Sequence, residues 1–446
     1  MLRPLARELP ATIGLALPMI AGQLAQMLMG VIDTAMVGHL GTVPLAACAF
    51  ANSVALAPFL FGMGFLSAVT VLVAHEHGAG SVTGVGESLR AGLAVASIVG
   101  LLLVALAWGG QYGLPYLGQP PEVAEEAREY FLLLVLSFPP SFVALTGKNF
   151  SEALNHPWPV FWLTMAGVGA NVLLNWVFIY GNLGAPRMEL EGAGVATLLA
   201  RLFTAAIVLV YLFRGPRFSA FHGASWRDAL GVARLRRLFQ LGFPAGSQVL
   251  AEASAFSLAG IMIGWLGAVP MAAHQVALSC VGTAFMIPLG ISMALSVRLG
   301  TLSGSGDRTR LRPTTVGAWS ICLASALATM MIFLFAGSTL AGWFIAEKEV
   351  IELAVGIFVV AGLFQIADAL QVTSVGGLRG LHDVRFTAVY SFVFYWGLGL
   401  PLAGMLAFGF ELGPFGVWIG LALALGLAAV VFSVRLWCLQ ETRPKG

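Results

Sequence analysis

Charge is what this sequence has least of. Only 10% of its 446 residues are Asp, Glu, Lys or Arg, against 59% hydrophobic, and the mean hydropathy is +0.89. Soluble domains carry about 25% charged residues, so the several soluble domains that length alone would suggest are excluded. Cysteine is scarce as well. Cys48, Cys280, Cys322 and Cys438 lie in or beside apolar runs with no CxxC spacing, which leaves disulfide and structural-metal readings unsupported. No GxxxxGK[ST] loop occurs, which argues against ATP-driven transport by this chain alone. The seven histidines offer no metal-spaced pair beyond His75 and His77, a poor zinc motif. No nucleophile–base set emerges, so the chain reads as no enzyme. It calls for no cofactor, and nucleic acid is not an expected partner.

Long uncharged apolar runs are what the sequence does have. A bilayer-spanning helix needs roughly 20 mostly apolar residues. About twelve such stretches occur, near 11–37, 45–74, 91–112, 130–147, 158–181, 192–213, 239–265, 270–297, 315–340, 350–378, 386–409 and 415–437. Their length favours helices over a membrane β-barrel. The first is too long for a cleavable signal and reads as a true span.

Basic residues cluster in alternate loops. One set holds Arg3, Arg7, Arg90, Lys148, the run from Arg214 to Arg237, Arg298 to Arg312, Arg379, Arg385, Arg435, Arg443 and Lys445. The other holds only Arg128, Arg187 and Lys348. The positive-inside rule then puts both termini in the cytoplasm, as an even number of spans requires.

The chain also repeats. Shifted by 226 residues without gaps, Pro18 meets Pro244, and Met36, Gly38, Leu40 and Gly41 meet Met262, Gly264, Leu266 and Gly267. LGTVPLAA returns as LGAVPMAA, and Gly64, Gly78 and Gly80 meet Gly290, Gly304 and Gly306. Apolar composition matches Ala and Leu by chance, but not so many Gly and Pro. The unit is six spans, so the two copies are parallel, a plan known among transporters. Residues 1–213 and 238–446 are the expected six-helix lobes. Residues 214–237 are the expected basic cytoplasmic linker. Its second half, with Trp226, Leu230, Val232 and Leu235, reads either as an amphipathic surface helix or as a plain basic loop.

Three acids fall within spans away from loops and helix ends: Asp33 in the first, Glu252 in the seventh and Asp368 in the tenth. A charge at a helix centre costs roughly 2.5–3.5 kcal/mol on insertion scales, so such groups are paired, solvated or protonated, and a functional role is the default reading. By the repeat, Glu252 aligns with Gln26 and Asp33 with Ala259. The two acids thus share a helix face on equivalent spans, about 10 Å apart in depth. Asn171 and Asn175 in the fifth span and Thr197 in the sixth could join Asp33 in an all-oxygen cation cluster. Interhelical hydrogen bonding is the other reading of the same residues. Arg201, mid-span in the sixth, is expected to pair within the bundle. Phe256 and Phe364 lie one turn from Glu252 and Asp368. An acid beside aromatics suits a lipophilic organic cation.

The order Pro18, Asp33, VGHLG, then GFP ending at Pro244, Glu252, LGAVPMAAHQ, FMIPLGI, RLG, GSGD, QIADALQ and GGLRGLHD resembles the multidrug and toxic compound extrusion (MATE) family, from about residue 10 to 437. Glu252 with Asp368 resembles its NorM-like branch. The resemblance implies an all-α membrane protein of twelve helices in two six-helix lobes forming a V. It implies a monomer in the cell inner membrane that exports lipophilic cationic drugs and dyes in exchange for sodium ions or protons. It implies a first-lobe cation site at Asp33, Asn171, Asn175 and Thr197, and a second-lobe site at Glu252, Asp368 and Phe364. Sodium would sit at Asp33, or at Glu252 and Asp368. Gln26, Ser53 and Gln275, with Phe256, would lie near bound substrate. Phe364 departs from the family where relatives carry tyrosine. A lipid-linked saccharide flippase of related fold is the alternative. It would want a basic cavity, whereas the mid-span charge here is mostly acidic.

Overall fold

All twelve expected spans are helical in the computed structural model, which describes residues 2–441 and side chains from Glu8 onward. Arg3, Arg7, Arg443 and Lys445 of the basic set lie outside those side chains. The helices are α1 Glu8–Gly38, α2 Thr42–Gly78, α3 Val82–Leu117, α4 Pro121–Ala153, α5 Pro157–Tyr180 and α6 Glu189–Arg214 in the first repeat. In the second they are α7 Val232–Gly264, α8 Ala268–Ser305, α9 Arg308–Gly342, α10 Lys348–Gly380, α11 Val384–Gly409 and α12 Gly413–Leu439. No strand occurs among the described residues. Each helix is long and apolar enough to cross a bilayer. Large apolar side chains such as Leu106 and Phe335 stand exposed on their surfaces, as lipid-facing residues do. The chain is an all-α, multi-pass membrane protein.

Several helices run past the apolar stretches that announced them. The stretch 45–74 lies within Thr42–Gly78, and 270–297 within Ala268–Ser305. A helix satisfies its backbone internally whether or not lipid surrounds it, so polar ends such as HEH and SGS stay helical.

The repeat is visible in the backbone. Thr42 and Ala268, each the first residue of its helix, are 226 positions apart, as are the helix ends Gly38 and Gly264. Gly41 and Gly267 open the two helices at φ +132° and +121°, a region costly for residues with a Cβ. α4 and α10 end alike, with left-handed turns at Asn155 (φ 61°) and His382 (φ 66°).

Packing divides the chain into two units. One is Ala21–Gly246, the other Met1–Ile20 together with Ser247–Gly446. These borders are repeat-equivalent, each two residues after a helix proline, Pro18 or Pro244. Packing therefore divides the chain differently from the 1–213, 214–237 and 238–446 of the sequence repeat. The first part of α1 belongs with the second repeat, and the first part of α7 with the first.

Ion pairs, buried at Glu8 and partly buried at Arg234, hold these helix starts. Glu8, 3% exposed, is bound by Arg298, by Arg310 (Nε to Oε1 2.7 Å) and by Thr314 (Oγ1 to Oε2 3.1 Å). In the other unit Arg234 Nη1 donates to Glu76 Oε1 at 2.8 Å and Ser88 Oγ at 2.7 Å, and its Nη2 donates to Glu87 Oε2 at 2.5 Å. Residues 232–237 thus form the first turns of α7, and the connection proper is 215–231. No separate amphipathic helix lies there, only short turns at Pro216–Phe221 and Trp226–Ala229. They pack because Phe218 is buried against Phe150 and Tyr211, and because Arg90 donates to the carbonyls of Phe221 and His222 and lies over Trp226.

Within each unit one helix lies at the centre. α10 packs against α8, α9 and α12; its counterpart α4 packs against α2, α3 and α6. Small residues allow the close approach. A Cβ on Gly376 or Gly380 would stand 2.3 or 2.5 Å from the carbonyl oxygen of Ser292 or Ser296.

Candidate functional site

In the unit Ala21–Gly246, Asp33 meets α5 near its C-terminal end. Asn175 Nδ2 donates to Asp33 Oδ1 at 2.6 Å and to Asn171 Oδ1 at 3.3 Å. Both asparagines are fully buried. One amide nitrogen therefore bridges the two oxygens, and Asn175 Oδ1 and Asn171 Nδ2 have no protein partner. This geometry accommodates both readings. With the Asn175 amide turned over, its oxygen would join those of Asp33 and Asn171. Thr197 is buried on α6, and no hydrogen bond joins it to these groups.

Arg201 lies within electrostatic reach of Asp33 without a salt bridge to it. Its Nη1 donates to Ser137 Oγ at 2.7 Å, and its guanidinium stands 5.4 Å from the Phe59 ring centre. Gln26 and Ser53 are exposed, and Ser53 returns its hydroxyl to the Ala49 carbonyl at 2.8 Å.

In the other unit, Glu252 on α7 and Asp368 on α10 are close enough to act on one another electrostatically. Asp368 is buried, Glu252 partly so. Tyr395 Oη donates to Glu252 Oε1 at 3.1 Å, and Trp396 Nε1 donates to the carbonyl of Ala251 at 3.1 Å. Both aromatics come from a π-helical stretch of α11, Val393–Gly399. π-bulges gather at functional sites. This one borders Pro401, which has no N–H to continue the ordinary ladder. The wider turn aims Tyr395 at α7. The phenol missing at Phe364 is thus present, but from another helix.

Phe364 is buried, its ring 6.0 Å from Phe256 and 5.8 Å from Trp418. Phe256 also lies 6.2 Å from Tyr395. These rings make an apolar wall beside the two acids. Gln275 is exposed on α8, next to buried His274. One turn before Glu252 on α7, Gln248 Oε1 accepts from Arg379 Nη2 at 3.0 Å.

Hydropathy overlooked several of these groups. Tyr395 sits in VFYWGLG, where only the nearby Pro401 hints at an irregular helix. Glu152 and Lys148, which look like helix-end charges, are 2% and 5% exposed, with Lys148 Nζ 3.9 Å from Glu152 Oε1 and 3.2 Å from Gln23 Oε1.

The MatE family model matches the chain twice, over residues 18–177 and 244–405, so the two matches begin at the equivalent prolines. A probable multidrug resistance protein NorM of Bradyrhizobium diazoefficiens is 36% identical over 97% of this chain and 93% of its own length. A multidrug resistance protein NorM of Photobacterium profundum is 32% identical over 97% and 96%. Among solved structures, a eukaryotic MATE transporter superposes with a TM-score of 0.88 at 23% identity, covering 98% of each chain, which concerns the fold alone. Two copies of the family pattern, near-full-length relatives and a shared twelve-helix architecture agree: this chain belongs to the MatE (multidrug and toxic compound extrusion) family, with NorM-like relatives.

Proposed function

We propose that the chain is a secondary active antiporter that exports lipophilic organic cations in exchange for sodium ions or protons. The observation that carries this reading is the second-repeat site. Two carboxylates, Glu252 and Asp368, lie within electrostatic reach of one another, each one helical turn from a ring of the Phe256–Phe364 pair. Two like charges in a low-dielectric setting repel, and any cation between them relieves the repulsion. An organic cation does so and gains ring contacts. A sodium ion or proton does so as well, and displaces it. Competition for one charge is enough to couple inward ion flow to drug export. Asp33 offers a second, independent charge in the other unit. The naming of the relatives as multidrug resistance proteins supports export of drugs.

The protein works as a monomer in the cell inner membrane, with both termini cytoplasmic and no cofactor. Lys148, Arg201 and Arg379, buried or partly buried in the helices, are each bound to protein groups. They leave little free positive charge for the pyrophosphate that a saccharide flippase would carry. The deciding experiment is dye efflux from proteoliposomes under separately imposed sodium and proton gradients. Efflux under either gradient, lost in Glu252→Gln, is expected. If Asp33→Asn and Glu252→Gln both leave efflux intact, the mechanism is abandoned.

A further inference from the structure

We propose that Gln371 and Ser391 are ligands of a sodium ion held by Asp368 and Glu252. This rests on the antiporter reading and deepens it by naming the ion and two residues that bind it.

The observation is where partners are missing. α10 is rich in polar side chains, and those turned toward α9 and α12 are satisfied. Thr373 Oγ1 donates to the Ala369 carbonyl at 2.7 Å and meets Cys322 Sγ at 2.8 Å. Ser374 Oγ meets Ser433 Oγ at 2.9 Å and accepts from Trp319 Nε1 at 3.1 Å. The Asp368 face differs. Gln371 is 1% exposed, and neither its amide oxygen nor its amide nitrogen has a protein partner. It follows Asp368 by three residues, so the two side chains lie about 60° apart around the helix and about 4.5 Å apart along it.

Ser391 repeats the pattern from α11. It is fully buried and stands four residues, about one turn, before Tyr395. A helical serine ordinarily returns its hydroxyl to the carbonyl four residues back. Thr387 on the same helix bonds back to the Val384 carbonyl at 2.9 Å, but Ser391 Oγ bonds to nothing in the protein.

A proton needs no such set, because a protonated carboxyl donates one hydrogen bond. A sodium ion needs several hard oxygens, neutral ones included. The carboxylates of Asp368 and Glu252, the Gln371 amide oxygen and the Ser391 and Tyr395 hydroxyls supply them. Arg379, two turns beyond Gln371, places a positive charge where the ligand set ends.

The test uses the full chain in nanodiscs, with radioactive sodium ion as the probe and ethidium binding in sodium-free buffer as the control. Gln371→Met and Ser391→Ala should each weaken sodium binding by about tenfold, as losses around metal sites do, and weaken it more than they weaken ethidium binding. Gln371→Glu, which keeps an oxygen in place, should retain sodium. If Gln371→Met does not fold, Gln371→Asn, which withdraws the amide by one methylene, takes its place. Unchanged sodium affinity in the Gln371 and Ser391 variants overturns the assignment. If the unmodified chain binds no sodium while a proton gradient drives efflux, the assignment falls and the antiporter reading stands. If neither gradient drives efflux, the antiporter reading falls as well.

Discussion

Glu8 and Arg234 hold equivalent places in the two repeats, 226 residues apart, and carry opposite charge. Each is the centre of an ion-pair cluster of the other sign, buried at Glu8 and partly buried at Arg234: Arg298 and Arg310 around Glu8, Glu76 and Glu87 around Arg234. The polar neighbours correspond too, since Ser88 and Thr314 are also 226 apart. Removing one partner of a buried pair costs about 3–5 kcal/mol. Glu8→Gln should therefore lower the thermal midpoint of the detergent-solubilised protein strongly. Glu8→Arg should lower it further. Arg310→Gln should do little, because Arg310 is half exposed and exposed pairs are worth about 0–1 kcal/mol. Equal midpoints for all three would contradict the burial argument.

At the second-repeat site, Tyr395→Phe deletes one hydroxyl and keeps the ring. A hydrogen bond to a charged group is worth about 1.5–3 kcal/mol, so the ion concentration giving half-maximal efflux should move by about tenfold or more. Phe364→Tyr should not restore it, because Phe364 packs between Phe256 and Trp418 rather than against Glu252. Rescue by that double variant would show that the phenol's position is immaterial.

Asn175 and Thr197 should separate sharply, although the sequence grouped them. Asn175→Leu removes the hydrogen bond to Asp33 and should cut efflux by about tenfold, the equivalent of about 1.4 kcal/mol. Thr197→Val should leave efflux within about twofold, the equivalent of about 0.4 kcal/mol. The ratio of the two initial rates decides the matter, and equal losses would restore Thr197 to the site.

Gly376→Ala and Gly380→Ala should each destabilise the protein by about 1–3 kcal/mol through overpacking, because the new Cβ meets a backbone carbonyl that cannot retreat. Gly397→Ala, where a Cβ meets open space, should not. Melting of the three variants in the same detergent makes the comparison.

The fold was legible because lipid leaves so few solutions: twelve long, nearly uncharged runs favour helices, and a gapless repeat marks two sequence units of six. Asp33, Glu252 and Asp368 stood out for the same reason, as charges where charge is expensive. The pairing of Asp33 with Asn175 was readable as one alternative of two. What remained hidden depended on helix ends and helix irregularity. Glu8 lay just outside the first apolar run, so its burial could not be seen. Tyr395 needed a π-helical turn, which periodicity does not announce. Gln371 and Ser391 are uncharged, and hydropathy passes over a buried amide or hydroxyl without asking what satisfies it. The exchange of helix starts at Ile20 and Gly246 was hidden because a continuous apolar helix carries no mark of where its neighbours change.

That exchange has a consequence for how such a chain can be taken apart. Cut the polypeptide in the connection between α6 and α7, and each fragment is a whole sequence repeat. Neither is a whole structural unit, because each lacks the helix start that the other supplies. The fragments should be insoluble or degraded when produced singly, and should assemble when produced together. Two copies of the first fragment are no substitute, since Glu8 would then enter the socket of Glu76 and Glu87. The opposite signs of Glu8 and Arg234 act as a key that makes the two halves of a duplicated chain mutually necessary and no longer interchangeable.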